Sequence, residues 1–310
     1  MRQFLGGVFD LYAYYENVPR DKVAKILRDR LGGQETSFHS GRRHRSSRQL
    51  PPPPPIPEDI LADVDARDRA YRALLDKLSL APDHQENLLG RGLNHDEIAR
   101  LQYRTTPTDN FCTLAQSLID EGIDLRGVPG FYRGEDGRWM LALYRRGIMI
   151  PCRDRLGRIQ SIHIRLDEKL KRGGKFLTFS STDKRDGAGA EIWCHLAGPV
   201  QEYIMLIEGY MKADIVHYFT GLTVLAIPGV TSLQHLETTL KELIGLGVKH
   251  VMTCFDMDYL KNWHVEGAYT KLIGLLGSLN LTFGTYLWAP ECNGLDDYIL
   301  EYYIKKNLQA

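Results

Sequence analysis

Apolar positions along the chain follow a helical rhythm first, then a strand rhythm, then the two in alternation. Asp65 to Ser79 has helical periodicity, and Pro82-Asp83 opens a second helix carrying His84, Leu88 and Leu89. Asn94 is placed as an N-cap, with Glu97 three residues later and Ile98 and Leu101 behind it. A further helix is expected over Asn110 to Glu121. From Gly130 the pattern shortens to strands at Trp139–Tyr144, Gly147–Pro151, Ile159–Leu166, Lys175–Phe179 and Glu191–Cys194. Gly157, in the turn between the second and third of these, stands where positive φ is needed.

The last hundred residues alternate. Strands are expected at Tyr203–Ile207, Leu222–Ala226, Val248–Phe255 and Thr282–Trp288. Helices are expected at Lys212–Phe219, Ser232–Leu246, His264–Leu279 and Leu295–Lys305. Strand-helix order with short connections predicts an α/β domain with a mostly parallel sheet, four-stranded and flanked by helices. At the other end, Val8, Leu11, Tyr12 and Tyr15, then Val23, Ile26, Leu27 and Leu31, mark two short helices closed by Gly32-Gly33. Residues 34–57 carry SGRRHRSSRQ and PPPPP and read as a basic, proline-rich linker. Four parts result: a helical piece at 1–33, the linker at 34–57, an α+β subdomain at 58–200 and the α/β domain at 201–310.

Composition changes little in this picture. A chain of 310 residues with 43% hydrophobic and 25% charged content and zero formal charge is an ordinary globular protein. The charge is unevenly spread. Leu141 to Lys175 holds ten Lys/Arg against three Asp/Glu, and Gln201 to Ala310 holds seven against twelve. That asymmetry suits an enzyme gripping a polyanion with one face and a metal with another. The five cysteines are scattered without metal-ligand spacing, as expected of reduced thiols in the cytoplasm. No stretch has the length and apolarity of a membrane span, so no membrane association is expected.

The candidate chemistry sits at strand ends. Tyr203 to Ile207 delivers Glu208-Gly209, and Val248 to Phe255 delivers Asp256 and Asp258. Ligands of open α/β sheets bind outside the carboxyl ends of the strands. Asp256 and Asp258 share one side of an extended segment, and Asp296 and Asp297 follow the fourth strand. Carboxylates gathered this way suit Mg²⁺ or Mn²⁺. A lone Glu-Gly or Asp-x-Asp is a weak signal; the order and spacing of the three acidic groups carry the argument.

The arrangement resembles the toprim domain of bacterial-type primases, topoisomerases and certain nucleases, with Glu208 as its glutamate and Asp256-x-Asp258 as its DxD motif. Upstream, GIMIPCRDRLGRIQSIHIRLD, KFLTFSS and EIWCHL resemble the N-terminal subdomain of bacterial primase catalytic cores. EGYMKADI and NGLDDYI are most similar to primases of plasmids, phages and integrative elements. The resemblance implies a primase core catalysing nucleotidyl transfer on single-stranded DNA. Glu208, Asp256 and Asp258 would be its catalytic metal ligands, joined by Asp296 and Asp297. Arg153, Arg158, Arg165 and Lys175 would contact phosphates of template or nucleoside triphosphate. A replicative helicase or a separate template-recognition subunit would be a partner. The segment GGVFDLYAYYENVPRDKVAKIL resembles the part that follows a primase zinc ribbon, and the ribbon's ligands are missing, so no zinc is expected. Lys212 stands where cellular primases often carry an acid; it is read as a phosphate contact or a solvated side chain. A toprim nuclease and a non-catalytic single-stranded-DNA-binding accessory protein are the alternatives. His163, His235 and the tryptophans are read as structural.

Overall fold

The computed structural model describes residues 18–19, 22, 61–170, 174–229, 232–256, 263–289 and 291–308, with side chains left out at 263–266, 268 and 303–308. Apart from residues 18–19 and 22, the helices expected at 1–33, the linker at 34–57 and Asp258 lie outside these residues. By packing, Met1–Pro54 and Pro55–Ala310 form separate units, and the architecture below is that of the second.

Helix α1 (Val64–Asp76) is started by Asp63, whose carboxylate accepts the amide N–H of Ala66. Its buried stripe is Arg67, Ala70, Tyr71, Leu74 and Leu75. Helices α2 (Pro82–Leu89) and α3 (His95–Leu101) follow, the latter capped by Asn94, which accepts from Glu97 N–H as the sequence predicts. After β1 (Arg104–Thr105) and α4 (Phe111–Asp120), strands β2 (Phe131–Arg133) and β3 (Trp139–Leu141) make a small hairpin. Strands β4 (Gly147–Arg153), β5 (Ile159–Leu166) and β6 (Phe176–Thr178) join β1 in an antiparallel sheet of order β1-β4-β5-β6. The β4–β5 turn has Gly157 at φ 74°, the left-handed geometry expected there.

The second sheet is built from β7 (His195–Ala197), β8 (Tyr203–Glu208), β9 (Thr223–Ile227), β10 (His250–Cys254) and β11 (Thr282–Thr285). Its order is β11-β10-β8-β9-β7; the first four strands run parallel and β7 is antiparallel to β9. Helices α5 (Tyr210–Thr220), α6 (Leu236–Gly245) and α7 (Trp263–Ser278) are the crossovers, and α8 (Leu295–Leu308) closes the described chain. β9 is buried throughout, as a parallel strand covered on both faces should be. No helix among the described residues is long and apolar enough to cross a membrane.

Two features differ from expectation. The sheet gains a fifth, antiparallel strand from before residue 200. Residues 191–194 are not a strand; pairing begins at His195. The carbonyls of Trp193 and Cys194 are claimed instead by side chains: Tyr210 Oη donates to Trp193, and Gln160 Nε2 donates to Cys194 at 3.0 Å. The Trp193 ring stacks on His235 with centroids 3.9 Å apart, below the Arg67 guanidinium at 4.9 Å.

Alternation along β4 joins the halves. Met149 faces the core under α1 and α4, whereas Ile148, Ile150 and Cys152 pack with Ile207, Tyr210 and Met211 of the second sheet and α5. Opposite Ile148 and Ile150 in the ladder stand Arg165 and His163. Those two side chains therefore also face the second sheet. His163 is buried against the Tyr210 ring, 4.4 Å between centroids, and burial pushes its pKa down to about 4. The unfolded chain takes a proton near pH 6.5 that the folded chain refuses until about pH 4, so stability falls as pH drops through that window. The expected loss is about 3 kcal/mol between pH 7 and 4 from this residue. Urea unfolding at both pH values should show a smaller difference in His163→Gln than in the wild type; an unchanged difference would refute the assignment.

Candidate metal and nucleotide site at the strand ends

Parallel register brings Glu208 and Asp256 to adjacent strand ends. Ile207 is opposite Cys254, so Glu208 ends its strand level with Phe255, and Asp256 lies one residue beyond on the adjoining strand. On the other side Glu208 is opposite Ile227. Gly209 turns the chain from β8 into α5 at φ 93°, with its N–H donated to Ile227 O at 2.8 Å. A side chain at this φ would be strained. The same turn places Lys212 in the first turn of α5, leaning over the site. Its ammonium donates to both oxygens of Asp256, at 2.5 and 2.6 Å, and Asn293 Nδ2 lies 3.4 Å from Asp256 Oδ2.

Helix α8 brings the remaining acids. Asp297 is exposed; Asp296 is only 3% exposed. Asp296 Oδ2 is 3.4 Å from Arg91 Nη1, while Oδ1 is buried with no hydrogen-bond partner. Burial raises the pKa of Asp296, against the pull of Lys212 and Arg91. A Cβ on Gly294 would sit 2.3 Å from Asp296 Oδ1 and 3.2 Å from Lys212 Nζ, so both groups need a bare Cα there. An orphaned buried carboxylate oxygen is costly unless something fills it. Glu208, Asp256 and Asp296 offer only oxygen donors, the kind Mg²⁺ or Mn²⁺ takes, and one of those oxygens, Asp296 Oδ1, has no partner within the chain.

The basic residues divide. Arg153 is turned inward: its Nη2 donates to Leu101 O at 2.8 Å, and its Nη1 is buried without a partner. Arg158 is clamped by Asp154 at 2.7 Å and Asp65 at 2.9 Å. Lys175 is half-buried just before β6. Arg165 is half-buried on the face toward the second sheet, where burial and then the neighbouring Arg91 charge lower its pKa. Arg91 is thus the guanidinium that the structure brings to one of these acids, Asp296, and Arg165 lies close enough to Arg91 to feel its charge. Arg91 gives no sign of this in the sequence, because its partner Asp296 lies 205 residues away.

Among the described residues, one group of three metal-type side chains has its ligand atoms within 4.8 Å of one another, and it is Asp83, His84 and Asp167 rather than the strand-end acids. Arg146 already serves it as the cation, with Nη1 2.6 Å from Asp167 and Nη2 2.7 Å from Asp83. His84 spans Asp167 and Thr105 at 2.8 and 2.7 Å. The Arg146 bonds draw Asp83 down to about 2. The geometry is that of an ion-paired clasp between α2 and the β5 end.

No protein-family model matches the chain, and no curated protein matches it. Solved structures do. The Aquifex aeolicus primase, zinc-binding and RNA polymerase domains, aligns over 98% of this chain and 69% of its own, at 18% identity and TM-score 0.58. The RNA polymerase domain of Mycobacterium tuberculosis primase DnaG aligns over 79% of this chain and 84% of its own, at 14% identity and TM-score 0.55. A DnaG primase catalytic domain bound to single-stranded DNA aligns over 80% and 78%, at 17% identity and TM-score 0.52. The chain has the mixed α/β fold of bacterial DnaG primase catalytic cores.

Proposed function

We propose that this chain is a primase-like nucleotidyltransferase that makes short primers on single-stranded DNA, of the type carried by plasmids, phages or integrative elements. One observation carries the reading. In a fold shared with primase cores, Glu208 and Asp256 end adjacent strands beside Asp296, whose buried Oδ1 lacks a partner. Glu208, Asp256 and Asp296 would hold Mg²⁺ or Mn²⁺, and Asp258 and Asp297 belong to the same reading. Such a cation supplies charge for the attacking and leaving oxygens of phosphoryl transfer.

The chain's own residues do the positioning. Arg165 and Arg91 neutralise triphosphate oxygens beside the acids, and Lys175 extends that basic surface. Arg153 and Arg158 keep the β4–β5 turn in place rather than reach for the ligand. Gly209 keeps the backbone thin where a 3′-hydroxyl and a triphosphate must come together. Single-stranded DNA is the natural template, in line with the DnaG catalytic domain seen bound to it. A replicative helicase or a template-recognition subunit is the natural partner, and the cytoplasm the natural compartment.

The test is incorporation of labelled ribonucleotides on a single-stranded template with Mg²⁺ or Mn²⁺. Short products that require the ion support the reading. Template cleavage without synthesis would make the chain a nuclease, and DNA binding with neither would make it an accessory protein; both outcomes overturn the proposal.

A further inference from the structure

Two-ion phosphoryl-transfer sites place their cations about 4 Å apart between shared carboxylates. One carboxylate of this site, Asp256, already has a cation supplied from within the chain. Lys212 Nζ sits between the two oxygens of Asp256 at 2.5 and 2.6 Å. The ammonium is lodged there. The lysine stem lies by Gly209, with Cγ and Cδ each 3.8 Å from where a Gly209 Cβ would stand. On the far side Nζ abuts the bare Cα of Gly294, 3.2 Å from a hypothetical Cβ. Two glycines therefore make the slot, one in the β8–α5 turn and one before α8. The side chain is only 24% exposed, so it is not a solvated lysine that swings over the site by chance.

We propose that the Lys212 ammonium is a resident substitute for one of the two divalent cations of this acidic cluster. The chain then takes a single Mg²⁺ or Mn²⁺. This rests on the metal-site reading above. Asp256 is shared between the ammonium and the ion, and the vacant Oδ1 of Asp296 and the carboxylate of Glu208 supply the rest of the donor set. A second divalent ion beside Asp256 would have to displace Nζ from both oxygens and would feel its charge at contact distance.

The count of bound ions tests this without an activity assay. Mn²⁺ is titrated into the full 310-residue chain, and bound ion is followed by loss of the free-ion magnetic resonance signal. One ion is expected for the wild type and for Lys212→Arg, which keeps the charge. Two are expected for Lys212→Gln. Equal counts for the wild type and Lys212→Gln would overturn the substitution. Should Lys212→Gln fail to fold, the wild type decides alone: a count of one supports the proposal and a count of two overturns it. No ion on either chain overturns the metal-site reading along with it, a result distinct from two ions on both.

Discussion

Glu208→Gln is expected to abolish primer synthesis while leaving the fold intact. The side chain ends β8, beside the strand that leads to Asp256, and is half-buried at the strand end rather than packed in either core. Glutamine keeps the volume and one acceptor oxygen but loses the charge. A carboxylate that holds a cation against developing transition-state charge contributes several kcal/mol, so its loss lowers the rate by about 10³-fold. The melting temperature should move by no more than about 2 °C, since surface substitutions of this kind stay within roughly 0.5 kcal/mol. Activity above roughly a tenth of wild type would remove Glu208 from the chemistry. A large drop in melting temperature would show it to be structural instead. Lys212→Gln separates from this variant in kind: it is expected to change the number of ions held, whereas Glu208→Gln weakens the hold on the single ion.

The sheet order was readable because parallel strands covered on both faces appear as apolar runs, and each run here ends at a carboxylate or a turn. Tyr203–Glu208 and His250–Cys254 fall within a few residues of the runs expected, and so Glu208 and Asp256 land on neighbouring strand ends. The turn at Gly157 was readable for a local reason, its need for positive φ. What was not readable depends on distant partners. Arg153 and Arg165 occupy the same basic stretch, and nothing in its composition says that one turns into the core and the other toward the second sheet. That choice is made by strand register and a bulge between Cys152 and Arg153. The strand expected at 191–194 failed because Gln160 and Tyr210 claim its carbonyls, a contest that periodicity does not register. The sequence alone leaves Lys212 between two roles, phosphate contact and solvated side chain. Its pairing with Asp256 needed two glycines on separate elements to open a slot.

The burial of Arg153 leads to the largest stability effect expected in the chain. Asp214, on α5 two residues beyond Lys212, is 3% exposed and accepts from two buried groups. Tyr103 Oη donates to Oδ2 at 2.6 Å, and His195 Nε2 lies 3.1 Å from Oδ1. The tautomer follows from the fourth member: Arg153 N–H donates to His195 Nδ1 at 2.9 Å, so the ring proton is on Nε2 and points at Asp214. The Arg153 guanidinium is the nearby countercharge, and despite burial the pKa of Asp214 is lowered by His195, Tyr103 and Arg153 together. These residues come from the end of α3, β4, β7 and α5, so the network ties the basic sheet to the helix that carries Lys212. Asp214→Ala leaves Tyr103 Oη and His195 Nε2–H buried without an acceptor and Arg153 without its countercharge. Breaking such a pair from one side costs about 3–5 kcal/mol, or roughly 10 °C in melting temperature for a unit of this size. Asp214→Asn keeps the volume and one acceptor oxygen but turns an amide N–H toward a donor, so it should cost less, about 1–3 kcal/mol. The pH sign is that of a carboxylate with a depressed folded pKa. The stabilisation is complete above the ordinary carboxylate range and is lost as pH falls through the folded pKa; Asp214→Ala should therefore unfold with less dependence on acid than the wild type. A melting curve for Asp214→Ala within about 2 °C of wild type at neutral pH would mean that Tyr103, His195 and Arg153 find water or other partners, and that the two sheets do not depend on this carboxylate.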